Sequence, residues 1–260
     1  SLVTASPLVS DPDSPLPPPA RPLTEDWVSL SAGWGKNPAF ADLELRLSPG
    51  SRLGVVGPSG SGKSTLAAVL LRFLDPQHGS VRLDGIDLRD LSLDDVRRAT
   101  GLVDDDPHIF GSTVRENLRL ANPGADDDRL LEALAATHLQ GWFAQLPSGL
   151  DTFLGDGGQA VSGGERARLG MARAVLADQP ILVLDEPTAH LDHGTAARVA
   201  EEFLGAPGRG GDRTIVWITH GTVGLDHLDR VLNLSDHAAP EAAESEVRPS
   251  SDQAVDLTLR

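Results

Sequence analysis

The stretch GPSGSGKST, residues 57–65, follows the short aliphatic run Arg52–Val56 and opens a segment of helical character reaching to about residue 74. It satisfies G-x-x-x-x-G-K-[ST] through Gly57, Gly62, Lys63 and Ser64. Glycines let such a backbone curl until successive N–H groups point inward at phosphate oxygens, and the helix behind adds its positive N-terminal end. Ser59, Gly60, Ser61 and Thr65 belong to this cradle. Lys63 reaches the outer phosphates and the Ser64 hydroxyl ligates Mg²⁺. A strand before and an apolar-faced helix after the loop separate it from a chance match.

Two more segments carry chemistry. In ILVLDEP, residues 181–187, four aliphatic residues form a buried strand with Asp185 at its carboxyl end. Asp185 is placed to hold the metal, and Glu186 to polarise an attacking water. In VSGGERARLGMARA, residues 161–174, Ser162, Gly163 and Gly164 stand just before a helix and form a second anion-binding helix terminus. One nucleotide hardly needs two cradles, so the second is assigned to nucleotide bound by another subunit.

The surrounding pattern is α/β. Trp27–Trp34 and Leu43–Leu47 alternate as half-buried strands, and Ser80–Leu83 reads as a strand closed by the turn dipeptide Asp84-Gly85. Residues 113–146 carry helical spacing, while Ile181–Leu184 and Thr214–Thr219 are continuous aliphatic runs typical of buried parallel strands. Strands separated by helices imply a sheet covered on both faces.

Composition bounds the partners. The chain of 260 residues carries 38 acidic against 22 basic side chains, a formal charge of −16, which disfavours nucleic acid and anionic lipid as direct partners. Any anion site must therefore be built from backbone and a few placed cations. With no cysteine, disulfides, zinc–thiolate centres and thiol catalysis are excluded. No apolar run approaches the roughly 20 residues of a membrane span. The start at Ser1, without a signal-like segment, reads as a fragment and not as a secreted protein. Residues 1–25, rich in Pro and Ser, are expected to be a disordered linker, and 237–260 a disordered acidic tail.

The motifs together resemble the nucleotide-binding domain of ATP-binding cassette (ABC) transporters over about residues 27–234. The phosphate loop, the signature VSGGE, the Asp185–Glu186 strand, AHLD at 189–192 and the histidine of WITH at 217–220 fall in that family's order. The resemblance implies a P-loop NTPase (RecA-like) core with an N-terminal antiparallel β subdomain and an inserted α-helical signature subdomain at about 106–175, the whole domain spanning 26–236. It implies ATP and Mg²⁺ as cofactors, Asp192 as the D-loop aspartate, His220 as the γ-phosphate sensor, and Trp34 in SAGWG as the adenine-stacking aromatic. Core packing is the competing reading of Trp34. A second ABC ATPase domain, identical or different, and a transmembrane domain missing from this chain are the implied partners. The implied place is the cytoplasmic face of the membrane, with this fragment itself soluble.

LDTFLGDGGQAVSGGE at 150–165 and FGSTVRENL at 110–118 resemble the exporter form, closest to the CydC-type half of CydDC exporters, to which thiol export or haem handling is attributed. In VDDDPHIF, residues 103–110, the family's Q-loop glutamine falls on Asp105. Glutamine offers a neutral oxygen and an amide; aspartate is shorter, charged and acceptor-only. A carboxylate about 5 Å from a phosphate charge costs roughly 3 kcal/mol at an effective dielectric near 20 unless Mg²⁺ intervenes. Asp105 is thus either a stronger metal ligand or a group that stands off and weakens coupling, with Asp104 and Asp106 solvated. Lys63, Asp185, Glu186 and His220 imply a hydrolysis-competent site; a regulatory half that binds nucleotide with impaired hydrolysis is the alternative.

Overall fold

The computed structural model describes residues 8–155, 158–205 and 213–239. In chain order its elements are β1 (Glu25–Ala32), β2 (Phe40–Leu47), β3 (Arg52–Val56), α1 (Lys63–Leu70), β4 (His78–Leu83), β5 (Ile86–Asp87), α2 (Leu93–Ala99), β6 (Thr100–Val103), α3 (Val114–Arg119), α4 (Asp127–Ala136), α5 (Gln140–Phe143), α6 (Gly163–Ala177), β7 (Ile181–Asp185), α7 (His193–Leu204), β8 (Thr214–Thr219) and β9 (Arg230–Asn233). Two sheets form. One is antiparallel in the order β2-β1-β4-β5, and the other is parallel in the order β6-β7-β8-β3-β9.

The period-2 alternation of the central parallel strands sorts their side chains to two cores. Ile181 and Val183 of β7, with Val216 and Ile218 of β8, join a core containing Leu66, Val69 and Leu70 of α1 and Trp27, Leu30 and Phe40 of the antiparallel sheet. Leu182, Leu184, Ile215 and Trp217 point to the opposite face, against Met171 of α6 and Val199 and Phe203 of α7. Because β7 is apolar on both faces, it reads as a continuous hydrophobic run and ends abruptly at Asp185. A third core joins α3, α4 and α6 through Val114, Leu118, Leu130, Leu134, Leu169 and Leu176. Helix α6 therefore belongs to two cores at once and ties the helical layer to the parallel sheet.

Local chemistry sets the helix boundaries. Thr113 and Glu116 form a reciprocal capping box at the start of α3, and Ser162 and Glu165 form another at α6. The expected helical stretch 113–146 is three helices interrupted at Asn122–Ala125 and His138, the latter at φ 56.

The linker expected to be disordered differs over residues 8–24. The Ser10 carbonyl accepts from the buried Arg72 guanidinium (2.8 Å), Asp11 Oδ1 accepts from Leu93 N (2.7 Å), Leu16 N donates to the Asp90 carbonyl (2.8 Å), and Leu23 is buried. Pro-rich composition removes regular structure, but its extended backbone keeps carbonyls free to be held by neighbours. Of the expected acidic tail, residues 237–239 are described, with Ala238 bridged to Phe40; residues 240–260 lie outside the described residues. The same holds for residues 1–7 and for positions 156–157 of the exporter-like stretch.

Candidate functional site

The loop between β3 and α1 has the backbone its glycines allow. Gly60 and Gly62 adopt φ of 83 and 97, in the left-handed region, and Gly57 reaches 155. Space adds a second demand at Gly62, where a Cβ would sit 3.0 Å from the Phe40 ring and 3.1 Å from Ala39. Lys63 Nζ bends back to the carbonyls of Gly57 (2.8 Å) and Pro58 (3.0 Å). The Ser61 hydroxyl is buried without a hydrogen-bond partner, an orphaned polar group inside the loop. A phosphate group seated here would take the ammonium from those carbonyls and give that hydroxyl an acceptor.

A cleft of about 920 Å³ opens above the loop, lined among others by Lys63, Ser64, Asp104, Asp105, Asp185, Glu186 and His220. Carboxylates converge on it from two elements. Asp185, at the end of β7, is raised to about 6, first by burial and then by Glu186, Asp105 and Asp104, with Lys63 opposing. Asp104 is raised by burial and by its neighbours Asp105 and Asp106, and its carboxylate accepts from Asp105 N at 2.9 Å. Such a cluster is relieved by a cation, so Ser64, Asp185 and Asp105 are chemically suited to Mg²⁺ in company with phosphate oxygens. Among the described residues no group of three or more His, Cys, Asp or Glu forms a metal cage by itself. That fits an ion that takes most of its ligands from substrate and water.

Glu186 follows Asp185 with φ 47, a left-handed conformation that a non-glycine residue adopts at a cost of order 1 kcal/mol. Its amide is held by the Ile218 carbonyl at 2.9 Å, and its carboxylate lies 2.7 Å from His220 Nδ1, with Thr219 Oγ1 and His220 N at 3.4 Å. The two parallel neighbours β7 and β8 thus deliver Glu186 and His220 to one point.

The other expected residues lie apart. Ser162, Gly163, Gly164 and Asp192 line a separate pocket of about 460 Å³ with Arg168, His190, Leu191 and Thr195. Ser162 Oγ accepts from Glu165 N, and the Glu165 carboxylate accepts from Ser162 N, so that first amide is already engaged. Trp34 is 59% exposed and does not line the cleft, which rules out core packing; Phe73 is the aromatic that does. Asp106, expected to be solvated, is exposed and faces Arg166 of α6 at 3.4 Å. Arg168 and His190 stand inside the quoted stretches 161–174 and 189–192 but carry no role there from spacing alone, and Phe73 joins the cleft only through the fold.

The comparisons follow the same lines. The family model described as "ABC transporter" matches residues 40–189, and the chain belongs to that family. The chain is similar to the mycobactin import ATP-binding/permease protein IrtA of Mycolicibacterium smegmatis, with 43% identity over 76% of this chain and 22% of that protein. It is also similar to the β-(1→2)glucan export ATP-binding/permease protein NdvA of Nitrobacter winogradskyi, with 44% identity over 63% of this chain and 27% of that protein. A bacterial Atm1-family ABC exporter solved with ATP bound superposes with a TM-score of 0.79 at 30% identity, over 87% of this chain and 40% of that one. The fold is the ABC ATPase fold of such exporters. The chain spans about a quarter of the length of these two curated relatives.

Proposed function

We propose that this chain is the ATP-binding and ATP-hydrolysing domain of an exporter-type ABC transporter, powering transport by nucleotide-driven pairing with a second ATPase domain. The observation that supports it most is the division of labour between two pockets. One cleft gathers Lys63, Ser64, Asp185, Glu186 and His220, while the signature turn at Ser162–Gly164 and Asp192 sits elsewhere, free to complete another subunit's site.

In this reading the loop amides and Lys63 bind and orient the phosphates. Ser64 and Asp185, with Asp105, hold Mg²⁺, whose chemistry is to neutralise charge on the phosphoryl group. Glu186 orients the attacking water and takes its proton. His220 fixes the Glu186 carboxylate through Nδ1 and leaves its other ring nitrogen for the terminal phosphate. Adenine stacking is assigned to Trp34, exposed on the turn after β1. The partner ATPase domain is an identical or a different chain.

A membrane part is supplied from outside the described residues, which contain no helix long and apolar enough to cross a membrane. The cytoplasmic face is where such a domain meets ATP. The CydC-type reading, with thiol or haem as cargo, rests on FGSTVRENL and the stretch before the signature. The relatives' names speak of mycobactin and of β-glucan, so cargo is set outside the ATPase domain.

Phosphate release from Mg-ATP as a function of chain concentration tests the proposal. Turnover rising more steeply than linearly supports pairing of two cradles. Strictly linear turnover, untouched by Glu186→Gln, sinks it.

A further inference from the structure

The second pocket has a charge balance with one free variable. It lies between the N-terminal ends of α6 and α7, in a chain whose overall charge is −16. Four fixed charges act on one another there: Arg168 and Arg198 against Glu165 and Asp192, two of each sign. All four are engaged. Arg168 donates to the carbonyls of Gly164 (3.0 Å) and His138 (2.8 Å), and Arg198 donates to Thr195 Oγ1 (3.1 Å). Glu165 takes the Ser162 amide, and Asp192 takes the Thr195 amide, with its carboxyl held below the usual range by that bond.

His190 is the remaining titratable side chain of the lining. It is exposed, and its ring makes no hydrogen bond or ion pair among the described residues. It also sits directly on the signature turn. A Cβ on Gly163 would lie 3.7 Å from the His190 side chain, and one on Gly164 would lie 2.9 Å from its carbonyl oxygen. Of the other nearby histidines, His138 turns Nε2 to the Arg198 carbonyl, and His193, at the start of α7, does not line the pocket. With His190 neutral the pocket's formal charges cancel; with His190 protonated it is net positive.

We propose that His190 is a specificity-determining residue of the second cradle. Its imidazolium supplies the net positive charge with which the cradle takes the terminal phosphate of a nucleotide seated in a second copy of this chain. Resting on the function proposed above, this makes nucleotide-driven self-association depend on whether His190 carries its positive charge. The first cleft carries no such dependence on His190, because His190 is not part of it.

The test compares the wild-type chain with His190→Gln and His190→Lys at pH 6 and pH 8. Self-association is measured by sedimentation with a non-hydrolysable ATP analogue and Mg²⁺, and nucleotide binding by fluorescence at concentrations where the chain is monomeric. The expected result is a wild-type dimer about fivefold tighter at pH 6. His190→Gln should lose that step, His190→Lys should stay tight at both values, and monomer binding should be equal in all three. A wild-type chain that binds the analogue without a pH step, or without self-association, overturns the inference, as does a His190→Gln chain that keeps the full step. Absence of nucleotide binding by the wild-type monomer overturns the proposed function itself, a distinct outcome.

Discussion

Nδ1 of His220 lies 2.7 Å from Oε1 of Glu186, although the two residues are 34 positions apart and stand at the ends of different strands. The contact follows from the parallel register of β7 and β8, which pairs Asp185 with Ile218 and so carries the next residues out of the sheet side by side. Glu186 is mostly covered (17% side-chain exposure) while His220 is open (68%), so the pair presents a held carboxylate beneath an accessible imidazole.

Removing the carboxylate's charge while keeping its shape separates binding from turnover. Glu186→Gln should bind ATP as wild type does and lose about a hundredfold or more in phosphate release. His220→Ala should lower turnover in the same direction, because the carboxylate then loses its orienting partner. Single-turnover kinetics beside nucleotide binding provide the check. Equal turnover in Glu186→Gln would remove Glu186 from the chemistry.

Asp105 gives the cleft a pH signature. Asp185 is pushed up to about 6, so it binds a proton at higher pH than a free aspartate, and that proton competes with Mg²⁺ as pH falls through this value. Asp105→Gln removes one of the charges responsible. The Mg²⁺ concentration needed for half-maximal ATP binding should rise between pH 7 and pH 5.5 in wild type, and the rise should move to lower pH in the variant. Coincident profiles would show that Asp105 does not act on the metal site.

These residues also differ in how far local sequence places them. Lys63, Ser64, Asp185 and Glu186 were legible because their spacing is dictated locally, by a tight loop and by a strand end. The register of β7 against β8 is not local, so nothing in the sequence announced that Glu186 Oε1 would meet His220 Nδ1. Strand β9 escaped notice because its residues are mostly exposed at the sheet edge and carry no alternation, and β6 because it is only four residues long. The ordered arm was missed for a different reason: its hold on the body runs through backbone carbonyls and a single aspartate, which composition does not reveal.

Glu25 predicts a stability change far from the cleft. It is fully buried at the start of β1, where burial lifts its carboxyl from 4.5 to about 7 despite the hydrogen bond donated by Trp27 Nε1. Between these values the folded chain keeps a proton that the unfolded chain has released, so stability falls as pH rises from about 4.5 to 7 and is level above. The total is about 3 kcal/mol. Glu25→Gln keeps an acceptor for Trp27 and removes the titration. Chemical denaturation should show a flatter pH profile and a more stable chain above pH 7. A variant no more stable than wild type at pH 8 would refute the assignment.

Gly170 of α6 stands against Pro107, which follows the segment Asp104–Asp106: a Cβ on Gly170 would lie 2.5 Å from Pro107 Cγ and 2.8 Å from its Cβ. The proline ring cannot rotate away, so Gly170→Ala must shift either α6, which begins at the signature turn, or the segment Asp104–Asp106 that borders the cleft. Overpacking of this kind costs about 1–3 kcal/mol, set against roughly 1 kcal/mol gained from alanine in a helix. The net loss, up to about 2 kcal/mol, should lower Tm by several degrees at its upper end. Pro107→Ala alone removes ring atoms and should change stability less. Combined with Gly170→Ala it should recover most of the loss, giving a coupling of about 1 kcal/mol in a double-mutant cycle. Additive effects would mean that the two residues do not touch in solution, leaving α6 to meet this segment through Arg166 with Asp106 and Arg173 with the His108 carbonyl.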